Sequence, residues 1–271
     1  MNSAFILLQR LIPHHLFSRL VGCLAESKII WLKNLVIQAF IRIYDVDMSE
    51  SHRQKPDQFI NFNDFFTREL TKGTRNIEGN ITSPADGTVS ALGRIDHNQI
   101  FQAKGLTYSL EKLLATADVE DFVDGSFITI YLAPSNYHRV HFPVDGKLVA
   151  SRYIPGKLFS VNQVTANAIP DIFAANERLV CDVRTDQGPV SIIMVGAMIV
   201  AGIKTVWRDD PYPARKLVSE SFESPVIFMK GDELGQFHLG STVILLFRAN
   251  INWLVNPGDP VKFGDPIAEA T

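Results

Sequence analysis

Leu239-Gly240-Ser241-Thr242-Val243-Ile244-Leu245-Leu246-Phe247 passes from a glycine–serine pair directly into an apolar-rich run. A short run of this kind, opened by a turn former, predicts a β-strand with the serine at its start. The pattern recurs in Phe127-Ile128-Thr129-Ile130-Tyr131 and in Ser191-Ile192-Ile193-Met194-Val195, with Gly, Pro and Asp clustered between the runs. From Ile81 onward the chain therefore reads as many short strands joined by turns. The expected fold class is α+β: a mostly antiparallel β core, sandwich-like or barrel-like, carrying a helical N-terminal region. Ser83-Pro84-Ala85-Asp86-Gly87-Thr88-Val89 is echoed by Phe142-Pro143-Val144-Asp145-Gly146-Lys147-Leu148. Asp-Gly before a β run is first of all a turn signal.

Working outward, 271 residues with 46% hydrophobic and 20% charged side chains suffice for a sizeable core. A net charge of −3 gives no general reason to expect nucleic acid. Cys23 and Cys181 are the only cysteines, which excludes a disulfide scaffold and any C-x-x-C metal spacing; each is expected to be a buried small hydrophobe. Val190–Ile203, interrupted by Gly196 and Gly202, fits buried strands better than a membrane span.

The N-terminus differs from the rest. Residues 1–44 carry Arg10, Arg19, Lys28, Lys33 and Arg42 against Glu26 alone, and they are also the most apolar part of the chain. Gln9, Arg10, Pro13, His14 and His15 break any spanning helix, and the segment lacks the layout of a signal peptide. Residues 4–44 read as two or three short helices. In Ile29–Tyr44 the polar residues Asn34, Gln38 and Arg42 recur every four positions with Lys33 beside them, and nearly everything else is apolar. So wide an apolar face is either buried on two sides or laid on a membrane surface. The expected division is 1–45 as an amphipathic helical membrane-association region and 46–271 as a β-rich catalytic domain.

Three sets of residues invite chemistry. Gly240 before Ser241 permits close approach to its own carbonyl. The Ser241 hydroxyl could attack that carbonyl, move the acyl group from nitrogen to oxygen, and leave an ester whose elimination ends in a ketone. The plain alternative is a serine that merely starts a strand. His138 and His141, in Pro134-Ser135-Asn136-Tyr137-His138-Arg139-Val140-His141-Phe142-Pro143, are the only i, i+3 pair among seven histidines. On a continuous strand they face opposite ways, so a shared site needs a turn between them. A metal would need a third ligand that the neighbouring sequence does not supply, so no metal is expected. Asp86 could orient a histidine that activates Ser241. A serine hydrolase would use the same three residues but lacks the G-x-S-x-G elbow. The tail Asn256–Pro266 shares the turn chemistry of lipoyl-carrier or biotin-carrier modules, yet the one Met-Lys pair, Met229-Lys230, lies outside any such hairpin.

Phe65-Phe66-Thr67-Arg68, Ser83-Pro84-Ala85-Asp86-Gly87, Tyr137-His138-Arg139-Val140-His141, Leu158-Phe159-Ser160-Val161-Asn162 and Gly231-Asp232-Glu233-Leu234-Gly235 through Leu239-Gly240-Ser241-Thr242 stand in one order along the chain. In that order the sequence resembles phosphatidylserine decarboxylase proenzymes of the bacterial, membrane-associated type, over nearly its whole length. The resemblance implies self-cleavage between Gly240 and Ser241, into 1–240 and 241–271. Ser241 would become a covalent pyruvoyl cofactor, and Asp86, His141 and Ser241 would form the self-cleavage triad. His138 would assist decarboxylation, and Leu158, Phe159 and Ser160 would lie at the substrate pocket. It implies phosphatidylserine in the bilayer as substrate and phosphatidylethanolamine as product. The two cleavage products would stay together as a heterodimer, with a dimer of these as a further expectation. It also implies a peripheral position on the cytoplasmic face of the inner membrane, and no nucleic-acid partner.

Overall fold

The computed structural model describes residue 22 and residues 24–197, 202–213, 215–237 and 241–269. An antiparallel eight-stranded sheet organises the molecule. Its strands are β2 (Gly87–Arg94), β5 (Ser126–Leu132), β7 (Gly146–Ile154), β8 (Arg178–Thr185), β9 (Gly188–Gly196), β11 (Val218–Phe228), β13 (Ser241–Phe247) and β15 (Pro260–Val261), in the order β11-β7-β8-β9-β13-β5-β2-β15. β1 (Ile81–Thr82), β14 (Asn252–Trp253) and β16 (Pro266–Glu269) form one small sheet; β6 (Arg139–His141), β10 (Ile203–Thr205) and β12 (Glu233–Phe237) form another; β3 (Gln99–Ala103) and β4 (Leu106–Ser109) make a hairpin. None of these sheets closes on itself, so the sandwich half of the expectation holds and the barrel half does not.

The large sheet buries both faces. On one, Val243, Leu245, Met194, Ile192, Leu179 and Cys181 meet side chains of the small sheets, such as Ile81, Val140, Leu234 and Ile267. On the other, Ile244, Leu246, Ile193 and Val180 meet the hairpin and the short helices through Ile100, Tyr108, Leu113 and Phe173. This is why β13 reads as a nearly unbroken apolar run: both sets of alternating side chains are buried. The two Asp-Gly echoes each open a strand, Gly87 starting β2 and Gly146 starting β7. Gly87 also lets the chain pass close to its neighbour, since a Cβ there would stand 2.4 Å from the Tyr131 carbonyl oxygen.

The N-terminal attachment has its own cluster. Helix α1 (Ile30–Tyr44) ends at Asp45, whose left-handed φ of 50° suits an aspartate at a C-cap. Helix α2 (Phe62–Phe66) is capped by Asn61, whose side chain accepts the Asp64 N–H at 2.9 Å. Ile37 of α1 packs with Phe59, Phe62, Phe65 and Phe66, and the Phe40 ring meets Phe62, Phe65 and Phe66 edge-on. Lys33, read from the sequence as part of a polar stripe, is buried: its Nζ donates to Asn34 Oδ1 at 2.6 Å and to the Pro56 carbonyl at 3.0 Å. Away from that packed side Trp31, Leu35 and Ile43 are exposed, as are Ile29, Ile30 and Tyr44 at the helix ends, with Trp31 69% and Ile43 73% accessible. The helix is therefore apolar on two sides, one packed and one open. No helix among the described residues is long and apolar enough to cross a membrane. Cys181 is buried and free as expected; Cys23, His14 and His15 lie outside the described residues.

Candidate active site

Ser241 is the first residue of β13 and lies in register between Leu132 of β5 and Gly196 of β9. It is fully buried, and its hydroxyl has no hydrogen-bond partner among the described residues. An unsatisfied buried hydroxyl costs roughly 1–3 kcal/mol. Gly240 and the rest of 238–240 lie outside the described residues.

Both histidines reach this end of the sheet on one connection. The chain leaves β5 at Leu132, opposite Ser241, and turns on Asn136, whose Oδ1 accepts the Ala133 N–H at 2.7 Å. It then delivers His138 immediately before β6 and His141 at its end. The Phe237 N–H donates to the His138 carbonyl at 3.0 Å, which ties the end of β12 to the residue just before β6. The turn lies ahead of the two residues and not between them, so the two imidazoles enter different pockets.

Each histidine has its own pocket. His138 is fully buried under Phe66, ring centres 3.9 Å apart, and its Nδ1 donates to the Asn136 carbonyl at 2.8 Å. That bond fixes the tautomer, leaving Nε2 as an unprotonated acceptor with no partner among the described residues. Burial, reinforced by the Arg68 guanidinium, pushes its pKa down to about 3. Arg68 donates to the Ser135 and Asn136 carbonyls at 3.1 and 3.4 Å, while Arg139 Nε donates to the Thr67 carbonyl at 2.9 Å. The Phe65-Phe66-Thr67-Arg68 motif is therefore a clamp on the His138 connection.

His141 lies flat on Phe263, 3.6 Å between ring centres and 15° from parallel. Its Nδ1 donates to the Gly231 carbonyl at 2.8 Å, which leaves Nε2 to accept the Tyr137 hydroxyl at 3.0 Å. Burial lowers its pKa to about 4. An open groove of about 850 Å³ runs past it, lined by Tyr137, Arg139, Gly231, Glu233 and Phe263.

Asp86 approaches this group from the Ser83–Gly87 turn, where the His141 N–H donates to the Pro84 carbonyl at 2.8 Å. Its carboxylate does not bond the His141 ring. It accepts Arg75 at 2.8 and 3.2 Å and the Phe263 N–H at 2.7 Å, and burial raises its pKa. Asp86 and His141 are thus joined through Phe263, one to its backbone and one to its ring.

Leu158 and Phe159 are buried, and Asn176 fastens their segment to the serine's neighbour. Asn176 Nδ2 donates to the Phe159 and Gly196 carbonyls, both at 2.8 Å, and its Oδ1 accepts the Phe159 N–H at 3.0 Å. Ser160 uses its carbonyl to accept the Thr165 hydroxyl at 2.5 Å. Asn176, Tyr137, Phe263 and Arg75 were not legible as site residues: Phe263 meets Asp86 from 177 residues away, and Tyr137 reaches His141 only because the chain folds their rings together. No cluster of three or more His, Cys, Asp or Glu side chains that could hold a metal occurs among the described residues.

A protein-family model described as phosphatidylserine decarboxylase matches residues 62–269, and a second, described as PSD, matches residues 4–45. The chain is 48% identical to the phosphatidylserine decarboxylase proenzyme of Alcanivorax borkumensis, covering 96% of this chain and 94% of that one. It is 49% identical to the proenzyme of the same name from Saccharophagus degradans, covering 99% and 98%, and 45% identical to that of Azotobacter vinelandii, covering 100% and 99%. The class is therefore a decarboxylase, a carboxy-lyase of phospholipid metabolism. Within that class, the chain belongs to the phosphatidylserine decarboxylase family.

Proposed function

We propose that this chain cuts itself between Gly240 and Ser241, that residue 241 becomes a pyruvoyl group, and that the mature enzyme converts phosphatidylserine to phosphatidylethanolamine at a membrane surface. The observation that carries this reading is Ser241: a buried hydroxyl without a partner among the described residues, at a strand start, paired with the β5 end from which the connection holding both histidines leaves. A pyruvoyl group needs no more room there than the serine side chain it replaces.

His141 is neutral and its Nε2 lone pair is available once the Tyr137 hydroxyl turns away, so it takes the Ser241 hydroxyl proton as Oγ attacks the Gly240 carbonyl. Asp86 acts through Phe263, fixing the surface on which the imidazole lies. When present, the pyruvoyl group supplies a carbonyl that condenses with the headgroup amine and accepts the electrons released with carbon dioxide. His138 remains as the proton-handling group of the second reaction, fully buried, its Nε2 uncommitted among the described residues. Leu158 and Phe159, tied to Gly196 through Asn176, give the substrate an apolar wall. The open side of α1, with basic residues nearby in the N-terminal segment, suits an anionic lipid surface and a peripheral place on the cytoplasmic face of the inner membrane. In this reading residues 1–45 are the membrane-association region, 46–271 carry the chemistry, and the cleavage products stay together as a heterodimer.

Intact-mass measurement of the purified protein tests the cut. Two chains of 240 and 31 residues are expected, the smaller with a blocked N-terminus, together with carbon dioxide release from phosphatidylserine vesicles. A single 271-residue chain in active protein would overturn the reading. Deleting residues 1–44 is expected to abolish flotation with anionic liposomes; undiminished flotation would refute the membrane assignment.

A further inference from the structure

Glu177 stands just before β8 with only 4% of its surface exposed, yet it faces no arginine or lysine among the described residues. Its place in the sheet is informative. The Gly196 N–H donates to the Glu177 carbonyl at 2.9 Å, so Glu177, Gly196, Ser241 and Leu132 form one row across four adjacent strands. Alternation puts Glu177 on the face shared by Leu179 and Cys181, and Ser241 on the face shared by Val243 and Leu245; these are the same face of the sheet. Between them stands a residue without a side chain.

The glutamate fills that gap. A Cβ built on Gly196 would lie 2.9 Å from Glu177 Cγ and 3.0 Å from its Oε1. Glu177 is thus folded over Gly196, in the place where the side chain facing Ser241 would be. Directly opposed Cβ positions are about 4.5–5.5 Å apart, so the carboxyl lies over the strand position that faces residue 241. The other oxygen is anchored: Tyr153 donates its hydroxyl to Oε2 at 2.9 Å, and Tyr153 is stacked on Tyr212, 5.1 Å between centres. Arg178, the nearest charge in sequence, points away and donates to the Leu113, Lys112 and Ala174 carbonyls.

We infer that Glu177 is the proton-transfer group of maturation, taking the Cα proton of residue 241 after the ester has formed and returning it to Cβ. This rests on the self-cleavage proposed above and assigns a step that the histidines do not fill. His141 has its role in the attack, and both its nitrogens are directed elsewhere. The balance closes on one residue. The carboxylate takes the Cα proton, the Cα–Cβ double bond forms, and the Cβ–Oγ bond breaks, so that Gly240 leaves as a carboxylate with the electron pair. The carboxylic acid then protonates Cβ, making the methyl group. Water replaces the amine at Cα, ammonium departs, and the ketone remains. Glu177 ends ionised, as it began. Burial raises its pKa to about 7, so both forms that the cycle needs are populated at neutral pH.

Time-resolved cell-free synthesis of the full chain, with intact-mass detection and a hydroxylamine quench, tests this directly. Glu177→Gln is expected to slow appearance of the 31-residue piece at least about 100-fold. Its full-length chain should accumulate as an ester that hydroxylamine cuts at 240/241, which Ser241→Ala must lack. Glu177→Asp should recover part of the rate. Tyr153→Phe keeps the carboxyl but frees it, and should move the pH dependence of cleavage while leaving ester formation intact. Glu177→Gln maturing at the wild-type rate, or an uncut chain without the ester, would overturn the inference. An uncut wild-type chain would instead remove the self-cleavage reading itself.

Discussion

The pocket under Phe66 and the groove against Phe263 are built from one connection, and they treat their histidines differently. In the first, His138 is sealed, held by one nitrogen and without a partner at the other among the described residues. In the second, His141 is held at both nitrogens and borders open space. Both imidazoles are neutral, so charge does not separate their roles; partnership does. A nitrogen bonded to a tyrosine hydroxyl is positioned for one prescribed proton transfer, whereas a nitrogen without a partner is kept for a group that arrives later.

The widest test of this difference is to remove each imidazole in turn. His141→Ala is expected to remain uncut, whereas His138→Ala should be cut normally and lose carbon dioxide release by about 10²–10⁴-fold. Mass spectrometry and a release assay read the two outcomes separately, and an uncut His138→Ala protein would break the comparison. A smaller effect is expected from the walls. Phe66→Ala opens a cavity at a buried ring and should cost about 3–5 kcal/mol by denaturant unfolding. It should also lower carbon dioxide release more than it lowers cleavage.

Acid sharpens the same contrast. The two histidines have folded pKa values near 3 and 4, both below the unfolded value of about 6.5. Their contribution to stability is complete above about pH 6.5 and is lost as the pH falls toward 4, because the unfolded chain binds protons that the folded chain refuses. Each should add up to about 1.4 kcal/mol per pH unit to the slope there, and His138→Asn should remove one such contribution. Glu177 acts in the opposite sense. Its pKa is raised to about 7, so its ionisation destabilises the fold as pH rises, and Glu177→Gln should be the more stable protein at pH 8 by no more than about 3 kcal/mol. The smallest effect on folding is expected at the open helix face: Trp31→Ser with Ile43→Ser should change stability by only about 0.5 kcal/mol per site while reducing liposome flotation several-fold.

Much of this was legible in the chain. The runs around Ile130, Ile193 and Leu245 lie in central strands, because short apolar runs between turn formers have few other ways to be buried. The helix over Ile29–Tyr44 and its double apolar character followed from spacing alone. Spacing did not tell which side would be packed: Lys33 went inward because the Pro56 carbonyl lies within its reach, a contact set by chain folding 23 residues away. Asp86 was placed with the histidines only through the resemblance, and its partners, Arg75 and the Phe263 N–H, came from a loop and from the far C-terminus. Asn176 and Glu177 gave no signal because their meaning depends on the register of β8 against β9, which places them beside Gly196.

That register has a consequence for the life of the molecule. β13 is hydrogen-bonded along its whole length to β5 and β9, β15 adds to β2, and β16 lies between β1 and β14. The proposed cut would therefore release a 31-residue piece that is already the middle of the main sheet and the centre of a small one. Before the cut, folding closes a loop within one chain; afterward, the same contacts must be found by two separate molecules. The mature protein would then be held by the slowness of its unfolding, and once denatured and diluted it should fail to return to the state from which it was made.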